Sequence, residues 1–158
     1  MTIYETENFI VEAFQKPHVD RDEGGHIKIY PRIRYVDRQS LPPKIAQELS
    51  WLITVTGDAM TSVMRRQGVD IGRVNYQDNG NWSVFKPEGP YIHYHLYGRA
   101  KTATVQKYGD AVYLPQRKDA PEFYANMQPL TTEDCDLIKQ EMLRLMETKY
   151  PKDHWIMS

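Results

Sequence analysis

A lone cysteine, Cys135, stands among the 158 residues. It excludes an internal disulfide and any cysteine-based zinc cluster. No apolar run approaches the roughly 18–20 residues that a membrane helix requires. The opening stretch MTIYETENFIVEAF has no basic n-region and places three glutamates where the apolar part of a signal peptide would stand. No secretory leader is therefore expected. Neither sign of charge dominates, with 20 Lys and Arg against 21 Asp and Glu and a net charge of −1. That balance leaves no whole-chain footprint for nucleic acid or an anionic membrane. Internal repeats and low-complexity tracts are missing as well. What is present, 41% hydrophobic and 11% aromatic residues with 26% charged, is the make-up of a folded chain rather than a disordered one. The length suits a single domain over 1–158, with 127–158 a C-terminal helix and tail. Such a domain buries enough surface to need no metal or disulfide. A soluble, cytoplasmic protein is the expectation.

Periodicity places the elements. Glu7–Phe14 reads as a strand with Phe9, Val11 and Ala13 on one side. A turn through Gly24-Gly25 leads to HIKIYPRIRY, where Ile27 and Ile29 alternate with Lys28 and Tyr30 until Pro31 stops the ladder. These two segments read as one antiparallel hairpin. A helix is expected from Ser40, as cap, to Gly68, with Ile45, Leu49, Leu52, Ile53, Met60, Val63 and Met64 as its apolar stripe. Gly57 interrupts that stripe. Strands follow at Gly72–Gln77 and Tyr91–Tyr97, joined by a polar stretch that contains the hairpin-turn dipeptide Asn79-Gly80. Tyr108–Pro115 reads as a further strand. A second helix is expected over Glu133–Met146, capped by Thr131 or Thr132, with Cys135 inert on its buried side or flank. The order predicts an α+β fold, an antiparallel sheet of about five strands with two main helices packed on it.

The chemistry concentrates in Tyr91-Ile-His93-Tyr-His95-Leu-Tyr97-Gly98-Arg99. On a strand, residues i and i+2 share a face and lie roughly 6.6–6.8 Å apart. His93, His95 and Tyr97 then face one way, and Ile92, Tyr94 and Leu96 supply the packing on the other. Three readings of the histidine face stay open. It is a wet sheet face satisfied by neighbours; it is a metal site completed by His18, His26 or a carboxylate; or it is a phosphate site, where a neutral imidazole attacks phosphorus.

HYHLYGR resembles the H-x-H-x-H signature of the histidine triad superfamily of nucleotide hydrolases and transferases. The family's order of elements is matched from about Phe9 to Arg99, more than half of the chain. GGHIKIYPR resembles its second-strand pattern. His18, eight residues before His26, falls where the family places a ribose contact, and Asn75 matches its phosphate-side Asn. The chain departs from the pattern in three ways. Tyr97 replaces the third histidine; the stretch from Asn75 to His93 is longer than in common members; and the Gly-Gln-Ser/Thr tripeptide is absent, with Ser83, Lys86 and Gly89 as substitutes. The uridylyltransferase branch of the superfamily carries Gln at the third position and still forms its nucleotidyl-His intermediate.

The resemblance implies a fold of the histidine triad type, a nucleotide substrate such as a dinucleoside polyphosphate or nucleoside phosphoramidate, and attack on its α-phosphate by His95. His93 would orient His95 or touch the phosphate, Asn75 would donate to a non-bridging oxygen, Tyr97 would donate its hydroxyl, and His18 would bind the ribose. No cofactor and no metal are implied. The resemblance also implies a homodimer, in which one sheet runs across both subunits. His26 is read as structural. The alternatives are a nucleotide-binding module without turnover and a small metal-binding domain that uses His93 and His95.

Overall fold

Strands that alternate apolar and polar residues pair into a sheet with one dry face, and the helices cover that face. The computed structural model describes residues 1–78 and 80–155. Its strands are β1 (Thr2–Glu5), β2 (Phe9–Ala13), β3 (His26–Pro31), β4 (Ile71–Asp78) and β5 (Tyr94–Ala100), in the order β1-β2-β3-β5-β4. Every neighbouring pair is antiparallel. The main helices are α1 (Pro43–Arg66) and α3 (Thr132–Thr148), and the short α2 (Pro121–Tyr124) lies between β5 and α3. α1 packs on β4 and β5, and α3 packs on α1 and β1. The α+β expectation holds, as does the β2–β3 hairpin, whose register runs from Phe9 opposite Pro31 to Ala13 opposite Ile27.

Alternation sorts the two faces. Ile27 and Ile29 oppose Leu96 and Tyr94 in the core, whereas His26 and Lys28 oppose Tyr97 and His95 on the other side. β1 was not expected, because in TIYE only Ile3 is buried and no period can be read from it. α1 starts at Pro43 rather than at Ser40, which instead closes a short turn with Asp37: its N–H donates to Oδ1 and its Oγ accepts the Asp37 N–H. α1 passes through Gly57 unbroken. A Cβ there would stand 2.1 Å from the Tyr76 hydroxyl, so the glycine makes room for that ring against the helix. Thr131 caps α3 through a reciprocal pair with Asp134. Cys135 is buried.

Three expectations are corrected. β5 begins at Tyr94 instead of Tyr91, because the Ile92 N–H goes to the Tyr35 carbonyl and the chain enters the ladder only afterwards. The β4–β5 link is a longer loop with a turn at Asn81–Ser83 rather than a tight hairpin, and Asn79 lies outside the described residues. Tyr108–Pro115 forms no strand, since side chains satisfy its backbone. Arg99 donates to the carbonyls of Gln106, Lys107 and Asp110, and the Gln106 amide pairs with both backbone groups of Tyr113. The Glu23 carboxylate accepts the N–H groups of Thr104, Val105 and Gln106. So pinned, the segment that follows β5 brings the Tyr124 hydroxyl to His18, and every residue of β5 is buried. Among the described residues no helix is long and apolar enough to cross a membrane.

The turn into β3 touches β5 backbone to backbone. The Gly98 N–H donates to the Gly25 carbonyl at 3.1 Å, and a Cβ on Gly98 would lie 2.3 Å from the Gly24 carbonyl oxygen. Neither side can swing away as a side chain could. Gly98→Ala is expected to cost about 2 kcal/mol or more, the scale of overpacking in a closed core. An unchanged urea midpoint would refute this reading of the contact.

Candidate active site

β3 and β5 each put a histidine at the point where the turn at Gly24-Gly25 closes on the sheet. His26 at the start of β3 opposes Tyr97, and Lys28 opposes His95. The His26 ring is fully buried, and its Nε2 lies 2.7 Å from His95 Nδ1. His18, on the loop before it, sends its backbone N–H to His26 Nδ1 at 3.2 Å. His93 stands just ahead of β5, half-buried, with its ring 4.8 Å from that of His95 and nearly perpendicular to it. Tyr97 stacks on His95 at 5.6 Å with the planes 7° apart.

Hydrogen-bond polarity assigns the protons. A backbone N–H can only donate, so His26 Nδ1 accepts, and the neutral ring carries its hydrogen on Nε2. That hydrogen is donated to His95 Nδ1, which leaves His95 with its own hydrogen on Nε2. His93 has the opposite tautomer. Its Nδ1 lies 2.9 Å from the Tyr91 carbonyl, which can only accept, so Nδ1 is protonated and Nε2 is a bare lone pair. His18 follows His93: the Tyr124 hydroxyl spends its hydrogen on the Pro115 carbonyl at 2.6 Å, so His18 Nδ1 donates to it and His18 Nε2 is an acceptor.

The rings stay neutral at physiological pH. Burial lowers the His18 pKa to about 4, helped by Arg117, and lowers His95 to about 3, helped by His93, His18 and Lys28. His26, enclosed and next to His95, is held well below the usual imidazole value. Burial also lowers His93, opposed by its bond to the Tyr91 carbonyl and by Asp78, whose carboxylate takes the His93 backbone N–H.

Over this face opens a cavity of about 660 Å³. His18, His93, His95, Tyr97, Ser83 and Gly89 all line it, so six of the seven residues expected from the sequence are brought together. Asn75 is the exception: it opposes Tyr97 on β4, its Oδ1 accepts from Arg99 at 2.6 Å, and it is not among the residues that line the cavity. Ser83 donates its hydroxyl to the Gly80 carbonyl, and Gly89 takes a positive φ of 65° in the loop above. Three residues of the site were missed or undervalued in the sequence. His26, read as structural, is bonded directly to His95. Trp82 meets the edge of His18 at 5.6 Å. Arg117 enters from the covering segment, where no periodicity marked it. Lys16, Lys86 and Arg117 stand on the cavity wall against the single carboxylate of Glu88, a field that favours an anion. Among the described residues no group of three or more His, Cys, Asp or Glu side chains is arranged to hold a metal ion.

No protein-family model matches the chain, and no curated protein matches it. Solved structures do. A hypothetical histidine triad nucleotide-binding protein from Sulfolobus tokodaii is 12% identical, with 96% of this chain and 89% of that one covered at a TM-score of 0.60. A histidine triad protein from Marinobacter aquaeolei is 18% identical over 93% and 88% of the two chains, with a TM-score of 0.59. A zinc-bound histidine triad family protein from Mycobacterium smegmatis is also 18% identical, over 92% and 86%, with a TM-score of 0.57. At these identities the likeness is one of fold.

Acid should therefore unfold the protein early. An unfolded histidine protonates near pH 6.5, while His18 resists to about 4 and His95 to about 3, so the unfolded state binds more protons between those values. Stability is complete above pH 6.5 and falls as pH drops. His18 alone accounts for about 2 kcal/mol at pH 5, taking 1.36 kcal/mol per pKa unit. Urea midpoints at pH 7.5, 6 and 5 test this. A flat profile would mean that the cluster takes up protons in the folded protein as readily as in the unfolded chain.

Proposed function

We propose, from the premise that this chain has the histidine triad fold, that it binds a nucleotide over the β5 histidines and cleaves it at the α-phosphate through a nucleotidyl-imidazole intermediate. The observation that carries the reading is the pair of ring contacts, His95 Nδ1 to His26 Nε2 and His93 Nδ1 to the Tyr91 carbonyl, which give two histidines lining one cavity opposite tautomers.

The tautomers favour His93 as the nucleophile, not His95 as expected from the motif. Nε2 of His93 attacks the α-phosphorus. The N–P bond forms as the bond to the leaving group breaks, and the electron pair leaves with that group. The resulting imidazolium keeps its Nδ1–H on the Tyr91 carbonyl, with Asp78 close enough to offset its charge. His95, held by His26, donates its Nε2–H to a phosphoryl or leaving-group oxygen, where charge accumulates. An anion at that point draws the His95 pKa upward and strengthens the bond. Water then attacks the phosphorus, the P–N bond breaks, and a nucleoside monophosphate is released. His18, with Nε2 as an acceptor, suits a ribose hydroxyl. A homodimer, which the resemblance implies, has the open sheet edges β1 and β4 available for joining.

Mapping the adduct tests the assignment. Incubation with an adenosine phosphoramidate, a diadenosine polyphosphate and a nucleotide sugar, quenched in alkali, should yield a peptide nucleotidylated on His93. His93→Ala should release no monophosphate, and His95→Gln should slow release by about 10²–10³-fold, the scale of one lost oxyanion donor. An adduct on His95 would reverse the two roles. Tight binding with no release from any of the three would identify a non-catalytic nucleotide-binding module.

A further inference from the structure

We propose that Arg117 is the phosphate-binding side chain of the cavity. The inference rests on the nucleotide reading above and supplies a cation, which Asn75, an uncharged amide outside the cavity lining, is not.

Arg117 reaches the cavity wall beside His18, His95 and Tyr97. Its guanidinium lies 4.0 Å from the centre of the Tyr124 ring. One nitrogen, Nη2, donates to the carbonyls of Lys16 and Pro17, the two residues before His18. The group is thus fixed on three sides and half-buried. Among the described residues no carboxylate pairs with it, and neither Nε nor Nη1 has a protein acceptor. A staple for the His18 loop needs only the Nη2 bonds. The carbonyls and the Tyr124 ring offset part of the charge, but no carboxylate among the described residues pairs with this partly desolvated cation at the cavity wall, an arrangement that an entering anion improves. A phosphoryl group fits: its oxygens accept from the free N–H groups, and a guanidinium already held in place loses little freedom in binding them. Lys16 and Lys86 add charge of the same sign from the rim. Nothing in the pattern of the strands announces Arg117, which arrives on the segment pinned by Arg99, Glu23 and Gln106.

The test separates charge recognition from loop support by using a ligand with and without its phosphate. AMP and adenosine are titrated calorimetrically into the wild-type protein and into Arg117→Gln. AMP should bind the variant about ten- to a hundredfold more weakly, the range for losing hydrogen bonds to a charged partner. Adenosine should bind both proteins equally, which also shows that the variant is folded and its His18 loop intact. Equal weakening of AMP and adenosine would make Arg117 only a support for that loop and overturn the proposal. Unchanged AMP binding would overturn it too, with the nucleotide reading left standing. A wild-type protein that binds neither ligand would overturn the nucleotide reading itself, and this proposal with it.

Discussion

The amide N–H of His18 can only donate, and it is aimed at the Nδ1 of a ring with no access to water. That single constraint passes along two imidazoles. It puts a hydrogen on His26 Nε2, directs it to His95 Nδ1, and leaves His95 a donor at the cavity. Burial favours the neutral ring, and a neutral ring has only two tautomers to choose between. Cationic charge is kept outside the chain of rings: Lys28 is paired with Glu12, and Arg117 stands at the wall.

Such a relay needs its rings held in place, and the fold provides this twice. From below, Gly24 and Gly98 allow the β3 turn and β5 to touch through backbone alone, which fixes the distance between the strands that carry His26 and His95. From above, residues 101–130 have no regular ladder, yet Arg99, Glu23 and Gln106 take up their backbone groups. In the Glu23 carboxylate, burial is outweighed by the backbone N–H groups of Val105, Gln106 and Thr104, and the pKa stays below the ordinary value. Gln106 is the link between cover and site, since the amide that pairs with Tyr113 also donates to the His18 carbonyl at 2.8 Å. The peptides on both sides of the His18 α-carbon are therefore bonded, one to His26 and one to the cover.

The strands and helices were legible because their signals are local: Ile27 and Ile29 alternate, and Leu49, Leu52, Met60, Val63 and Met64 recur at helical spacing. His93, His95 and His18 were legible from type and spacing. What could not be read depends on contacts between distant residues. Gln106 and Tyr113 imitate a strand pair with one side chain. Asn75 occupies the expected register on β4 but is claimed by Arg99, 24 residues away. His26 looked like a turn residue because the significance of its ring appears only when β3 meets β5, 69 residues later in the chain.

The same reasoning explains why histidines two positions apart differ in their hydrogen-bond partners. A strand in register gives i and i+2 equivalent settings, and the motif read as a strand made His93 and His95 near-equivalents. The ladder begins only at Tyr94. His95 is inside it, next to β3, where His26 can reach its Nδ1. His93 is outside, where the nearest acceptor for its Nδ1 is the carbonyl of Tyr91. In the proposed order of events, the donor that follows the nucleophile is His95, so the replacement at Tyr97 removes neither nucleophile nor donor. On the other side of His93, Tyr91 contributes its carbonyl, which every residue has. The chemistry proposed for this site is therefore insensitive to the departure that stands out most in the sequence. It depends instead on where the strand starts.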